Sequence, residues 1–240
     1  MRFFGRNVVL CFHSIGSSGL SRERFCSLIN ALVEIGYSFP SPELVNEIKG
    51  RKNAIISFDD GYYDNLEITH SYLSKIDIKP IIFVVTELLN DNIDNNEIVG
   101  LKNIRHFTFE DAKRYKDIVH FAYHTSNHDD LSYLDMDEKS IEKFIQGHND
   151  YLELASSESH LFAYPFGYLP KNKTKFESLL ESLSYKAAFT TKWGRLNSNE
   201  NFYINRVVIG DNDSQLKAIL KISGIFDWYA RIKWRGSKYE

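Results

Sequence analysis

The chain has 240 residues, 43% of them hydrophobic and 25% charged, with a formal net charge of −3. That length suits a single α/β catalytic domain over residues 1–240, and the near-balanced charge lacks the basic footprint that nucleic-acid binding requires. Two cysteines, Cys11 and Cys26, lie without CxxC spacing, which argues against a disulfide framework and a thiolate zinc site and marks both as buried fillers.

From Met1 to Phe12 the chain carries two arginines and a short apolar run, which His13 interrupts before it reaches the length of a signal-peptide core. No window is apolar enough to span a membrane, so the expectation is a soluble, cytoplasmic protein. The first predicted strand, Asn7 to Phe12, leads into His13 and is followed by an amphipathic helix over Arg22 to Gly36.

A second buried strand, Ala54 to Phe58, runs directly into Ser57-Phe58-Asp59-Asp60-Gly61. Adjacent acids repel, and the carboxyl ends of strands in α/β folds open onto the ligand site, so charged catalytic groups are expected here. Gly61 permits a turn that sends the two side chains in different directions, one toward a metal and the other free as a base. Taken alone, the pair is equally compatible with an Asp capping the next helix, Tyr63 to Lys75.

A third strand is expected over Ile81 to Val85. The Asn- and Asp-rich stretch Asn90 to Asn103 reads as a solvated loop, because it lacks the Gly and terminal Glu of a calcium-binding EF-hand. A helix over Thr108 to Tyr115 and a strand over Ile118 to Tyr123 follow, the latter ending in His124-Thr125-Ser126-Asn127-His128. Two imidazoles at this spacing lie on one face of a helical turn and can share a cation. Alone the pair is weak evidence, but its place at a strand end lets it converge with the Asp pair and leave room for water and substrate. Asp129 and Asp130, just beyond, fit either imidazole orientation or helix capping.

After a helix over Glu138 to Leu154, the strand Leu161 to Tyr164 ends in the aromatic turn Tyr164-Pro165-Phe166-Gly167. Pro165 has no backbone N–H, whereas that of Phe166 is available to an oxyanion. A helix over Lys173 to Leu183 and strands at Ala187 to Thr191 and Tyr203 to Ile209 complete seven strands with intervening helices, the rhythm of a β/α barrel. Tyr62, Tyr123, Tyr164, Tyr168 and Trp193 are available as a platform for a sugar ring, although most aromatics in such a chain are core. The tail Trp228 to Tyr239 mixes cations with aromatics and reads as a solvated helix, with contact to a membrane carrying a lipid-linked substrate as the alternative.

These motifs, in this order, resemble those of the NodB-like polysaccharide deacetylases, the fourth carbohydrate esterase family. Ser57 to Gly61 matches T/S-F-D-D-G, His124 to His128 matches H-S/T-x-x-H, and Ala163 to Phe166 stands at R-x-P-Y/F. The resemblance implies a distorted (β/α)7 barrel and a divalent metal, above all Zn²⁺, held by Asp60, His124 and His128. It further implies Asp59 as general base and Phe166, with Tyr164, on the oxyanion and substrate side. The implied reaction removes an N-acetyl group from a sugar or polysaccharide precursor in surface polysaccharide biosynthesis.

Two departures from the pattern matter. Ala163 stands where the family commonly has the Arg that orients the base, and Arg206 is the cation expected to replace it. No His follows His160, so the usual C-terminal acid is missing. His13 fills that role if the motifs are circularly permuted, as in exopolysaccharide deacetylases. Competing readings are a carbohydrate-binding protein that has lost catalysis, and a metal hydrolase acting on an O-acetyl ester or a non-sugar amide.

Overall fold

The computed structural model describes residues 5–16, 19–90, 104–155, 160–197 and 200–228. Most of the stretch Asn90 to Asn103, and all but the first residue of Trp228 to Tyr239, lie outside the described residues. Seven strands form one sheet: β1 (Val8–Phe12), β2 (Ala54–Phe58), β3 (Ile81–Val84), β4 (His120–Tyr123), β5 (His160–Ala163), β6 (Tyr185–Phe189) and β7 (Val207–Val208). Their order is β6-β5-β4-β3-β2-β1-β7, and every pairing is parallel. The helices are α1 (Arg22–Glu34), α2 (Tyr63–Ser71), α3 (Phe109–Lys113), α4 (Glu138–Leu152), α5 (Lys173–Ser182) and α6 (Gln215–Ser223). The sheet curls into the half-barrel of a distorted (β/α)7 fold, as the sequence led one to expect.

Both faces of the sheet are apolar because parallel strands with crossover helices are covered on each side. Side chains alternate along each strand, and the alternation divides the core in two. Leu10, Phe12, Ile56, Phe58, Phe121, Tyr123, Phe162 and Tyr164 pack outward against Phe25, Leu28, Leu66, Phe144 and Phe176 of the helices. Val9, Ile55, Ile81, Phe83, Ala122, Leu161, Ala163, Ala187 and Phe189 fill the concave side. Each fully buried large side chain of this kind contributes about 1.5–3 kcal/mol relative to exposure.

Helix starts follow their caps. Thr108, Asp137, Asn172 and Ser214 each accept a backbone N–H of the first turn, an arrangement worth about 1 kcal/mol per helix. Two segments differ from the sequence-based expectation. Helix α6, opened by Ser214 and closed by Gly224 in the left-handed conformation, was not anticipated. The strand expected over Tyr203 to Ile209 shrinks to Val207–Val208 because the segment changes partners. Ile204 bridges Phe189, the Arg206 N–H donates to the Lys192 carbonyl, and only then does the chain reach β1.

Among the described residues no helix is long and apolar enough to cross a membrane.

Candidate active site

The carboxyl ends of β1, β2, β4 and β5 and the segments beside β6 and β7 surround a cavity of about 310 Å³. His13, Asp59, Asp60, Tyr62, His124 and His128 line it, with Phe166, Thr191 and Asp211 on the remaining sides.

Asp59 is inside the barrel for the reason Ile55 and Ser57 are: it continues their alternation past the end of β2. Its carboxylate meets the guanidinium of Arg206 in a two-pronged pair, Nη1 to Oδ1 at 2.6 Å and Nη2 to Oδ2 at 2.8 Å. Arg206 has no exposed surface. Its Nε donates to the Thr190 carbonyl at 2.9 Å, its Nη1 also reaches Ser57 Oγ at 3.3 Å, and its charge lies over the Phe83 ring. The cation expected to compensate for Ala163 thus lies against the carboxylate, arriving from beside β7 instead of from β5. Burial pushes the Asp59 carboxyl up, but the charge and hydrogen bonds of Arg206, helped by His124 and His13, outweigh it and hold the group well below the usual carboxylate range. The Cys11 thiol donates to Asp59 Oδ2 at 3.4 Å. Cys11 is therefore buried, as expected, but it touches the acid and is more than filler.

Asp60 and Gly61 both have φ of 75°, a left-handed pair that reverses the chain and turns Asp60 away from Asp59. For Asp60 that conformation is strained, at a cost of order 1–3 kcal/mol, and such strain concentrates at functional sites. Asp60 Oδ1 lies 3.6 Å from His124 Nε2 and 3.6 Å from His128 Nε2. The three candidate ligand atoms lie within 4.8 Å of one another. His124 donates its Nδ1–H to the Ala163 carbonyl at 2.8 Å, which leaves the Nε2 lone pair facing Asp60. Burial lowers the His124 pKa to about 4, against the opposing pull of Asp59, so the ring is neutral at ordinary pH. Thr125 and His128 take φ of 67° and 58°, and the Thr125 and Ser126 carbonyls accept from Thr86 and Glu87. Those bonds pin the histidine loop to the end of β3.

This donor set fits a divalent cation. Asp60 Oδ1 is buried without a hydrogen-bond partner among the described residues, and a buried carboxylate oxygen left unpaired costs about 1–3 kcal/mol or more. The Nε2 atoms of two imidazoles face it, that of His124 as a lone pair, and one carboxylate with two histidines is a ligand set that leaves a position open for water or substrate.

Phe166 sits at φ 59°, held there by a turn in which Gly167 lies so close to Thr191 that a Cβ would fall 2.0 Å from Thr191 Oγ1. Its ring packs on His128, with centroids 4.4 Å apart, and its N–H has no acceptor among the described residues. His13 lines the cavity beside Asp59.

Tyr164 requires a correction. It is 1% exposed, its hydroxyl donates to the Phe202 carbonyl, and its ring stacks on Tyr203. It alternates to the outer side with Phe162, so its side chain belongs to the core and not to the substrate site. Of the proposed aromatic platform, Tyr62 lines the cavity and Tyr168 stacks on Phe166, while Tyr123 is core and Trp193 lines other clefts. Asp129 pairs with Lys143, Asp130 caps a short turn by accepting from Ser132, and the Ala163 carbonyl orients His124. Sequence reasoning missed Asp211 and Thr191, which follow β7 and β6; the position after a strand end was the available signal.

The family model described as polysaccharide deacetylase matches residues 46–188, a span that contains Asp59, Asp60, both histidines and Phe166 but neither His13 nor Arg206. Among solved structures, the Streptococcus pyogenes deacetylase PplD, described in complex with acetate, is 24% identical, with 90% of this chain and 98% of that chain covered and a TM-score of 0.70. IcaB from Ammonifex degensii is 21% identical over 91% of this chain and 97% of that chain, with a TM-score of 0.71. The Bacillus cereus polysaccharide deacetylase BC0361 is 20% identical over 90% and 69%, also with a TM-score of 0.71. At these identities the likeness speaks for the shared fold. No curated protein matches the chain in sequence.

Proposed function

The chain belongs to the polysaccharide deacetylase family, and from that membership we propose that it is a metal-dependent hydrolase that removes the acetyl group from the nitrogen of an N-acetylated sugar. The substrate in this reading is a unit of a surface polysaccharide or its precursor. The observation that carries the metal dependence is the unpartnered Asp60 Oδ1, 3.6 Å from each of two imidazole nitrogens. Asp60, His124 and His128 would hold the cation. Bound there, a divalent ion such as Zn²⁺ supplies a Lewis acid for the acetyl carbonyl and lowers the pKa of water toward about 7.

The other roles fall to side chains around it. Asp59 accepts the proton of the attacking water; each carboxylate oxygen carries a second lone pair, so pairing with Arg206 leaves acceptor capacity toward the cavity. Arg206 keeps that carboxylate charged and fixed in plane. The Phe166 N–H donates to the oxyanion as the tetrahedral centre forms. His13 delivers a proton to the departing nitrogen, without which an amine is a poor leaving group. The Asp59–Arg206 pair also weighs against a binding protein that has lost catalysis, since it restores the countercharge whose absence at Ala163 motivated that reading.

The test is acetate release from a panel of N-acetylated sugars and O-acetylated esters, before and after chelation and after readdition of metal. Chelator-sensitive release from the N-acetyl substrates is expected. Release indifferent to chelation overturns the metal assignment, and release from O-acetyl esters alone moves the reaction to the ester.

A further inference from the structure

The turn that carries His13 is tied to the first turn of α2, which follows the Asp59-Asp60-Gly61 reversal without a break. Asn65 Nδ2 donates to the His13 carbonyl at 2.9 Å and to Asp64 Oδ1 at 3.0 Å. Ser14 Oγ donates to Asp64 Oδ2 at 2.6 Å. Ser14 is 1% exposed and Asn65 wholly buried. Ser14 in turn folds its own segment back, its carbonyl accepting from the Leu20 N–H at 3.2 Å.

A purely structural account of Asn65 is incomplete. An amide buried in a helix's first turn has both its oxygen and its nitrogen to satisfy, yet Asn65 Oδ1 has no partner among the described residues. An apolar side chain of similar shape would avoid that unpaired oxygen. What such a residue lacks is the donor that reaches the His13 carbonyl. Asp64 alone reads as an ordinary first-turn acid of a helix, but Ser14 and Asn65 hold its two carboxylate oxygens from opposite sides, which makes it a link between two loops.

We propose that Asn65 and Asp64 are positioning residues for His13, holding the proton donor at a fixed place relative to the loop that supplies the base and a metal ligand. This rests on the deacetylase reading above. Neither residue lines the cavity; both act through the backbone of the His13 turn. Proton delivery is steep in distance, and a displacement of about 1 Å at a catalytic group costs on the order of 10²-fold.

The test uses two substrates of the same enzyme: an N-acetyl amino sugar, whose nitrogen must be protonated to leave, and 4-nitrophenyl acetate, whose phenolate leaves unaided. Asn65→Ala should lower kcat on the amide roughly 10- to 100-fold and change aryl ester hydrolysis by less than about twofold, as should His13→Ala with a larger amide defect. In the double variant the Asn65 effect should vanish, since two residues serving one proton transfer are not additive. Equal loss on both substrates, or additive losses in the double variant, overturns the positioning role while leaving the deacetylase reading intact. A wild-type enzyme that cleaves the aryl ester but no N-acetyl sugar tested overturns the deacetylase reading instead. Should Asn65→Ala fail to fold, Ser14→Ala carries the same test, and its failure to discriminate between the two substrates overturns the inference equally.

Discussion

Two pairs of histidines pack against the same sheet, and only one of them forms a candidate site. His124 and His128 sit at the carboxyl end of β4 with ring centroids 5.1 Å apart. His148 of α4 and His160 of β5 pack on the outer side at 5.5 Å. Burial lowers both His124 and His148 to a pKa of about 4, so neither depth nor pKa separates them. The difference is in what faces the ring nitrogens. On the outer side, His148 Nδ1 bonds the Tyr185 hydroxyl at 2.8 Å and His160 Nδ1 meets the Tyr151 hydroxyl at 3.3 Å. At the strand ends, two Nε2 atoms converge on a carboxylate oxygen that has no hydrogen-bond partner among the described residues. Converging ligand atoms, more than paired histidines, mark a place for a cation.

That contrast can be broken or sharpened by substitution. The largest effect is expected from Asp60→Ala, which should abolish both bound divalent metal and acetate release, as read by elemental analysis and an acetate assay. His148→Leu should keep both near wild-type levels, and loss of metal from that variant would erase the distinction. Asp59→Asn comes next: turnover should fall by about 10⁴-fold with metal content unchanged, because the base is altered and the ligands are not. Full metal loss in Asp59→Asn would move Asp59 into the ligand set. Arg206→Met should destabilise the fold by about 3–5 kcal/mol in urea titration, since it leaves a carboxylate buried without its cation.

The smallest effect concerns acid. The folded pKa of His148 lies below the unfolded value of about 6.5, so its neutral form contributes stability above that pH, and the contribution is lost as pH falls toward about 4. The facing groups are His160, Tyr185, Tyr151 and Tyr123. His148→Leu should therefore cost about 1–3 kcal/mol at neutral pH through the stranded Tyr185 hydroxyl, yet lose less stability than wild type between pH 6.5 and 4. A wild-type-like acid slope in the variant would remove His148 as the cause.

Much of this was legible in the residues. Short β-branched runs announced the strands, and the polar groups at their ends announced where a site would form, because parallel strands bury everything else. The period of two also contained the answer for Tyr164, since Phe162 and Tyr164 face one side and Leu161 and Ala163 the other. Its place next to a proline-pinned turn suggested a role that its direction denies. Helix α6 was signalled by Ser214 and Gly224 at its two ends, but its short apolar stretch lies next to an aromatic tail that draws attention away from it. The shortened β7 was not legible, because a strand that changes partner midway has no signature in local hydrophobicity. The partnership of Arg206 with Asp59 was open only to elimination, as the two lie 147 positions apart.

β1 is the hinge of the whole assembly, because it pairs with β2 on one side and with β7 on the other. The strand that leads into His13 is thereby the template onto which the strand beside Arg206 docks last in chain order. A ribosome must release the chain through Arg206 before Asp59 acquires its counterion, so under the proposed mechanism a chain halted before Arg206 would carry all three proposed metal ligands and still lack a tuned base.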